Sequence, residues 1–238
     1  MATNLRQTLD QMGWQNAALY WLGRVLARAS AGRWRIHRYH FVAQRLDDAP
    51  LAGARGRDIE IHPHDPHTAL PPGYPRAARV VAARHAQGAS SLQAWRHGQL
   101  AGFLWLIHGA YQEDEVRARF ELASPQSCWD FDVWIAPEQR LGLTFARLWD
   151  AARAQLRQRG THWTCSRISA FNPGSLRAHA ALGPGLTSLG SALFICCGGW
   201  QWMFSGVAPR FHLSRAPSSF PRLTFDTGAL SLPPREHS

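Results

Sequence analysis

The chain has 238 residues, of which 45% are hydrophobic, which is enough for one domain with a sizeable core and an extension. Its formal net charge is +10, and all 26 of its Lys and Arg residues are arginines. Because these arginines are scattered rather than clustered with aromatic residues, no nucleic-acid partner is expected, although the charge favours anionic ligands. No run reaches the ~18 apolar residues of a membrane span, and the first residues carry no signal-peptide pattern.

Residues 1–34 are predicted to form an N-terminal amphipathic helical extension. Over residues 12–30, apolar side chains recur at helical spacing beside two arginines: Trp14, Ala18, Trp21, Leu22, Val25 and Ala29, with Arg24 and Arg28. The sequence favours packing of this stripe against its own domain or against a second subunit of a homodimer. The alternative is peripheral contact with an anionic membrane surface.

Residues 35–215 are predicted to form one α/β domain, because strand and helix patterns alternate along them. The tail, residues 216–238, is rich in proline and is predicted to be loosely ordered. The predicted elements of the domain are extended runs at 39–43 and 59–62, a helix at 76–87, strands at 91–96, 100–107, 116–122 and 128–135, a helix at 143–158, a strand at 162–168, a helix at 173–182, and a hairpin formed by 192–197 and 200–204.

The cysteines and histidines indicate neither disulfides nor a metal site. No Cys-x-x-Cys pair occurs, which indicates buried thiols in a reducing, cytoplasmic compartment; the cysteines are Cys128, Cys165, Cys196 and Cys197. Three histidines lie in a Pro-rich loop, where scattered surface histidines are a simpler explanation than metal ligands; they are His62, His64 and His67.

The most informative segment is Gln139–Thr144, which lies between the strand at 128–135 and the helix at 143–158. A turn in this place aims several backbone N–H groups and the positive helix end at one spot, where a phosphate or pyrophosphate fits. Gly142 would let the backbone approach such a ligand closely. The loop alone is weak evidence, and the motifs of nucleotide P-loops and dinucleotide folds are absent from the sequence.

A second segment runs from Asn172 to Gly183, with Ser175 three residues and His179 seven residues after the asparagine, followed by Leu182-Gly183. This pattern resembles the second cofactor motif of the GNAT N-acetyltransferase superfamily. The loop resembles that family's pyrophosphate motif, Gln/Arg-x-x-Gly-x-Gly/Ala, and the preceding Ile-Ala-Pro resembles its Val-x-Pro. Both motifs lie in the family's order and spacing over residues 128–183, so the chain resembles a bacterial GNAT protein.

The resemblance implies a mixed, mostly antiparallel central sheet with helices on both faces, and acetyl-CoA or another acyl-CoA as cosubstrate without a metal. It implies that backbone amides hold the CoA pyrophosphate at Arg140, Leu141, Gly142, Leu143 and Thr144. It also implies that the N–H groups of Val133 and Ile135 polarise the thioester carbonyl, and that Asn172 and Ser175 contact the cofactor arm. Thr144 departs from the family's usual Gly or Ala, but its hydroxyl suits a phosphate oxygen.

Two residues are predicted to handle protons. His179 stands where the family most often has a tyrosine that protonates the leaving thiolate; a histidine suits that role, or it merely packs on the helix surface. Strand alternation places Asp130 and Asp132 on one face, where mutual repulsion would suit one of them, best Asp132, to accept the amine proton. The alternative is that Asp132 pairs with a structural arginine, Arg117 or Arg119.

Two charged segments near the expected site allow more than one interpretation. Arg167 stands where some relatives carry a catalytic glutamate, so that route is absent. The alternative role of this arginine is to bind an acceptor's carboxylate or phosphate. The run Glu113-Asp114-Glu115 is most simply a solvated loop, although it would also attract a cationic amine at a pocket rim.

The sequence therefore predicts an acyl-CoA-dependent N-acyltransferase, most simply one that moves an acetyl group to a primary amine by direct attack in a ternary complex. The alternative is a non-catalytic GNAT-fold protein that binds CoA or serves as a scaffold, associated with a membrane surface through helix 12–30. The acceptor amine is not identified by the sequence.

Overall fold

The computed structural model describes residues 5–183 and 185–230, and over them the predicted fold class is confirmed: a large, mostly antiparallel sheet has helices on both faces and an N-terminal helix. The helices are α1 (Leu5–Ala29), α2 (Ala78–Ala86), α3 (Thr144–Gln158) and α4 (Pro173–Ala180), and a 3₁₀ turn spans Pro137–Gln139. The strands are β1 (Trp34–Arg45), β2 (Ile59–Pro63), β3 (Ser90–Arg96), β4 (Gln99–His108), β5 (Ala110–Gln112), β6 (Arg119–Leu122), β7 (Ser127–Ile135), β8 (Trp163–Ser169), β9 (Thr187–Cys197), β10 (Trp200–Ser205), β11 (Phe211–Ser214) and β12 (Arg222–Phe225).

Within the described residues, nine strands form one sheet in the order β11-β10-β9-β1-β8-β7-β4-β3-β2. Every neighbouring pair in this sheet is antiparallel except β7 and β8, which run parallel. A second, small sheet has the order β12-β6-β5. The connection from β7 to β8 passes through α3, as a parallel pair requires a crossover.

The sheet separates two cores, because successive side chains of a strand point to opposite faces. The core on the α2 side is aromatic and includes Phe41, Phe103 and Trp129, and the small sheet closes it with Phe120 and Phe225. The core on the α3 side is mostly aliphatic and also includes the buried indole of Trp149; its members include Leu104, Leu106, Leu148 and Leu156. Three tryptophans are fully buried in these two cores: Trp105, Trp129 and Trp149.

Helix α1 forms where its pattern predicts, but it packs through the side opposite the predicted stripe. Asn16 accepts a 2.9 Å hydrogen bond from Arg38 of β1, and a side chain at Gly23 would lie 3.4 Å from Ile36. The apolar stripe faces outward, with Trp14 72% and Val25 61% exposed. The prediction that the stripe packs against its own domain is therefore wrong. None of the described helices is long and apolar enough to cross a membrane.

The prediction of a loosely ordered tail is wrong for Arg222–Phe225. This segment adds a strand beside β6, with Leu223 and Phe225 buried in the aromatic core. Its alternation of exposed and buried residues is clear in the structure, but the prolines around it hide this signal in the sequence. Residues 231–238 lie outside the described residues.

Candidate active site

A gap opens where the parallel strands β7 and β8 part. Their register pairs run from Ser127–Trp163 to Asp130–Ser166, whereas β7 continues to Ile135 and β8 continues to Ser169. Beyond the last pair, β7 remains bonded to β4 on its other edge. The gap therefore leaves one edge of β7 open within the sheet, next to the loop that leads to α3.

The backbone N–H groups of Val133 and Ile135 point into this gap. Ala136 donates a 2.9 Å hydrogen bond to Ala101 of the segment that forms β4. Because successive residues of a strand direct their N–H groups to opposite edges, Ile135 and Val133 point away from β4. The carbonyl of Ile135 accordingly accepts a 3.3 Å bond from the Arg140 side chain. These two amides thus lie where the family resemblance expects donors to a thioester carbonyl.

The loop after β7 leads into the first turn of α3, where backbone N–H groups lack a partner within the helix. The first three amides of a helix have no partner within it, and Leu143 provides no side-chain cap at this position. The hydroxyl of Thr144 is fully buried and has no hydrogen-bond partner among the described residues. An orphaned hydroxyl beside a helix N-terminus fits an anionic group such as the pyrophosphate of CoA.

Gly142 serves the loop itself. Its N–H donates a 3.0 Å bond to the carbonyl of Gln139, and an added Cβ would lie 3.3 Å from that same oxygen. A larger residue would therefore press on the turn before it met any ligand. The expectation that Gly142 lets a phosphate approach the backbone closely stays a prediction. Leu141 beside it is fully exposed.

Asn172 and Ser175 bond to each other at the start of α4. The side-chain oxygen of Asn172 accepts a 3.1 Å hydrogen bond from the backbone N–H of Ser175 and so caps the helix. Asn172 is exposed, at the end of β8 that borders the gap. The expected contact of these two residues with a cofactor arm stays a prediction.

His179 is buried at the point where the strands part. Its Nδ1–H donates to the carbonyl of Ser175 at 2.9 Å, and its Nε2 lies 3.2 Å from the Asp130 carboxylate. Ser166, the residue opposite Asp130 in register, donates its hydroxyl to that carboxylate at 2.7 Å. Because Nδ1 must carry a proton to donate, a further proton lies between Nε2 and Asp130.

Burial and the contact between His179 and Asp130 shift the pKa of both side chains. Burial raises the pKa of the Asp130 carboxyl, although the bond from His179 opposes the shift. Burial lowers the pKa of His179, but the hydrogen bond and charge of Asp130 outweigh it, so the net pKa is raised above the usual 6.5. The pair can therefore hold and release a proton on the α3 side of the gap.

Asp130 and Asp132 do not share a face, which corrects the sequence analysis. Asp132 lies opposite Trp105 and Asp130 lies opposite Leu106, so Phe131 is an extra residue and forms a β-bulge. The bulge turns Asp132 toward α2 while Asp130 faces α4. The two predicted catalytic residues, Asp132 and His179, thus lie on opposite faces of the sheet, and His179 meets Asp130 instead.

On the α2 side, Asp132 is held by two arginines. Arg76 donates to both of its oxygens, at 2.6 and 2.7 Å, and Arg84 donates at 2.6 Å. Arg84 also bonds Asp114 at 2.7 Å and lies over the ring of Phe131 at 5.2 Å. The expected structural pairing does occur, but its partners are these two arginines and not Arg117 or Arg119.

A small cavity of about 10 Å³ on the α2 side borders the gap. It is lined by residues that include Phe131 and Arg167, the first residues past the last register pair, and by Tyr111 and Glu113. Glu113 is buried, and burial raises its pKa even though Arg167 lies 2.8 Å away. Arg167 also bonds Glu115 at 3.0 Å. Its bonds within the protein do not support the expected grip on an acceptor.

Nothing in the local sequence distinguishes the buried Glu113 from its exposed neighbours, so it was not predicted as a site residue. Arg76, Arg84 and Ser166 were not predicted either, because only the sheet topology brings them to the site. Among the described residues, no group of three or more side chains is placed to hold a metal ion.

No protein-family model matches the chain, and no curated protein matches it. Solved structures do. A tandem GNAT protein from the clavulanic acid biosynthesis pathway is similar with a TM-score of 0.43 and 16% identity, over 74% of this chain and 58% of that one. An aminoglycoside acetyltransferase from an uncultured soil metagenomic sample is similar with a TM-score of 0.37 and 7% identity, over 53% of this chain and 88% of that one. A GCN5-related N-acetyltransferase from Anabaena variabilis is similar with a TM-score of 0.36 and 8% identity, over 89% of this chain and 66% of that one.

Proposed function

We propose that this protein is an acyl-CoA-dependent N-acyltransferase that moves an acetyl group from acetyl-CoA to a primary amine within a ternary complex. The observation that carries the proposal is the gap between β7 and β8, into which the N–H groups of Val133 and Ile135 point. The gap leads directly to the loop and to the first turn of α3. A thioester arm in the gap and a pyrophosphate at the helix would use these donors together.

Groups on the α3 side would bind acetyl-CoA. The amides at the start of α3 and the orphaned hydroxyl of Thr144 would bind the pyrophosphate oxygens. Arg140, whose guanidinium already reaches the carbonyl of Ile135, adds positive charge at the mouth of the gap. The amides of Val133 and Ile135 would bond the thioester oxygen and stabilise its negative charge as the amine attacks.

The reaction itself forms a C–N bond and breaks the C–S bond, and two protons must be moved. The attacking amine loses one proton to a base, and the leaving thiolate gains one. Glu113 suits the base, because burial raises its pKa and its pocket opens beside Phe131 at the gap. Asp132 bonds Arg76 and Arg84 and would position this wall of the pocket, although direct proton transfer to Asp132 is the competing assignment.

The proton for the thiolate would come from the pair of His179 and Asp130. Both groups have a raised pKa, so the pair retains a proton near neutral pH. The pair lies at the point where the gap begins, on the same face of the sheet as α3, whose first turn is the proposed pyrophosphate site. A histidine in place of the tyrosine usual in the family would then do the same work.

A thiol-release assay tests the proposal. Acetyl-CoA is offered with a panel of small amines, amino sugars and peptides, and free thiol is followed with an aromatic disulfide reagent. Amine-dependent release is expected with at least one acceptor class. In parallel, calorimetry should detect binding of acetyl-CoA and of CoA. Binding without release on any amine would favour the non-catalytic alternative, and absence of binding would overturn both.

A further inference from the structure

A large apolar surface lies at one end of the main sheet, on the side that carries α1. Ile36, Ile195, Trp202 and Leu213 are paired across β1, β9, β10 and β11, so their side chains share one face. Helix α1 covers the β1 part of this face at Ile36. The strands beyond it stay uncovered, with Phe204 46% and Phe211 53% exposed.

The outward stripe of α1 extends this surface. The helix packs on the sheet through Asn16 and Gly23, so its opposite side points in the same direction as the uncovered strands. Together they present exposed apolar side chains that we call the outer face: Trp14, Leu22, Val25, Trp200, Phe204, Phe211 and Leu213. A contiguous group of exposed large apolar side chains is a feature of interaction sites.

The charged side chains of the segments that form the outer face are all positive, apart from Asp10 near the start of α1. Residues 11–46 and 187–216, which build it, contain no Asp and no Glu. Arg24, Arg28, Arg210 and Arg215 lie exposed on these segments, and none of the four forms an ion pair with a described residue. Arg24 and Arg215 instead lie against the rings of Trp21 and Trp200, at 5.6 and 5.0 Å. The face thus combines aromatic side chains with unpaired positive charge.

The combination of exposed aromatic side chains and unpaired arginines distinguishes between two partners of the outer face, a second copy of the chain and an anionic lipid surface. In a two-fold dimer the same patch meets itself, so these arginines would face arginines, with Asp10 as the only acidic residue in the described parts of α1, β1 and β9–β11. An anionic lipid surface offers the opposite charge together with an apolar boundary that receives Trp and Phe. We propose that the outer face docks this protein on anionic lipid membranes, with α1 and β10–β11 in the headgroup layer. The proposal is independent of the acyltransferase function.

Vesicle co-sedimentation of the full chain tests this docking. Phosphatidylcholine vesicles that contain phosphatidylserine should sediment the protein, and pure phosphatidylcholine vesicles should do so much less. Replacing two arginines, Arg24→Gln with Arg28→Gln, should weaken partitioning roughly 25-fold, at about fivefold for each charge. Replacing two phenylalanines, Phe204→Ser with Phe211→Ser, should weaken it at least about tenfold through lost apolar burial.

The matched control removes the same charge elsewhere. Arg57→Gln with Arg79→Gln changes two exposed arginines, one before the strand at the opposite sheet edge and one on α2, on the other face of the sheet. This variant should bind nearly as wild type, and an equal loss would show that net charge alone attracts the vesicles. Equal binding to both vesicle types would also overturn the proposal. So would light scattering that finds a dimer which the Phe204→Ser, Phe211→Ser variant dissociates, because the outer face would then be a subunit interface.

Discussion

The two faces of the gap between β7 and β8 use the same residue type in different ways. On the α3 side, Asp130 meets an imidazole and a hydroxyl, whereas on the α2 side Asp132 meets only guanidinium groups. One extra residue, Phe131, separates them. A carboxylate bonded to His179 can share a proton, and one clamped between Arg76 and Arg84 mainly orients its partners. The surroundings, and not the residue type or spacing, assign the role.

The faces also differ in their charged groups. The α2 side holds a network in which Arg84 joins Asp132 to Asp114 and Arg167 joins Glu113 to Glu115. The hydroxyl of Thr144 on the α3 side has no hydrogen-bond partner among the described residues, and the same is true of His85 Nε2 and the Trp129 indole N–H on the α2 side. The ion pairs fix the side chains of the α2 wall, whereas a donor without a partner at the start of α3 suits an anion.

The largest expected effect is on catalysis at the α2 side. With Glu113→Gln, turnover should fall roughly 10²–10⁴-fold, because the base that accepts the amine proton is lost. The KM for acetyl-CoA should hardly change, since the donor binds on the other face. Steady-state thiol release at saturating amine measures both. The matched control is Glu115→Gln, which also loses a bond to Arg167 but is exposed. Near wild-type turnover for Glu113→Gln would exclude Glu113 as the base.

A large effect on stability is expected when Asp132, which forms ion pairs with Arg76 and Arg84, is replaced. Asp132→Asn leaves the buried Arg84 guanidinium with less than its full charge partner, and the free energy of unfolding should fall by about 3 kcal/mol. Urea unfolding followed by tryptophan fluorescence measures the change. Asp58→Asn breaks an exposed pair with Arg96 and should have little effect. If Asp132→Asn instead keeps its stability and loses turnover, then Asp132, and not Glu113, is the base.

The pair on the α3 side should give a pH dependence of its own. Because the pKa of His179 is raised above 6.5, its contribution to stability is fully present below that pH and is lost as pH rises through the folded value. The wild type should therefore lose stability relative to His179→Gln above roughly pH 6.5, with a slope of at most about 1.4 kcal/mol per pH unit. Unfolding curves across this range test it. The exposed His67→Gln variant is the control, and parallel curves for wild type and His179→Gln would contradict the assignment.

The sequence predicts the regular part of this fold well. Alternation over 128–135 and helical periodicity over 143–158 both correspond to observed elements. Helix α3 buries one face against the aliphatic core, and β7 lies between the two cores, with Cys128 in one and Trp129 in the other. The position of the loop between β7 and α3 follows directly. The amides of Val133 and Ile135 face the gap, and their bonds to a thioester carbonyl stay a prediction.

The rest depends on contacts that periodicity does not encode. A β-bulge has no local signature here, so simple alternation puts Asp130 and Asp132 on one face when they lie on two. The stripe of α1 predicts a buried face, but the residues that pack on Ile36 and Arg38 include small and polar ones such as Gly23 and Asn16. Hydrophobic periodicity shows where a helix has an apolar face and does not show what covers it.

The smallest expected effect concerns Thr144, whose replacement should raise the stability of the free protein and weaken its binding of CoA. Thr144→Val replaces a buried hydroxyl that has no described partner with a methyl group of the same shape, so the free protein should gain about 1 kcal/mol of unfolding free energy. If that hydroxyl bonds a phosphate oxygen, the same change should weaken CoA binding roughly fivefold, because the complex loses one hydrogen bond.

Thr227→Val is the matched control: its hydroxyl is buried against Ser127, so the variant should lose stability and keep its affinity. Thermal unfolding with and without CoA, together with calorimetry, separates the two effects. Gained stability with unchanged affinity would mean that this hydroxyl does not contact the bound CoA, and it would leave the backbone amides of α3 as the phosphate site on that face.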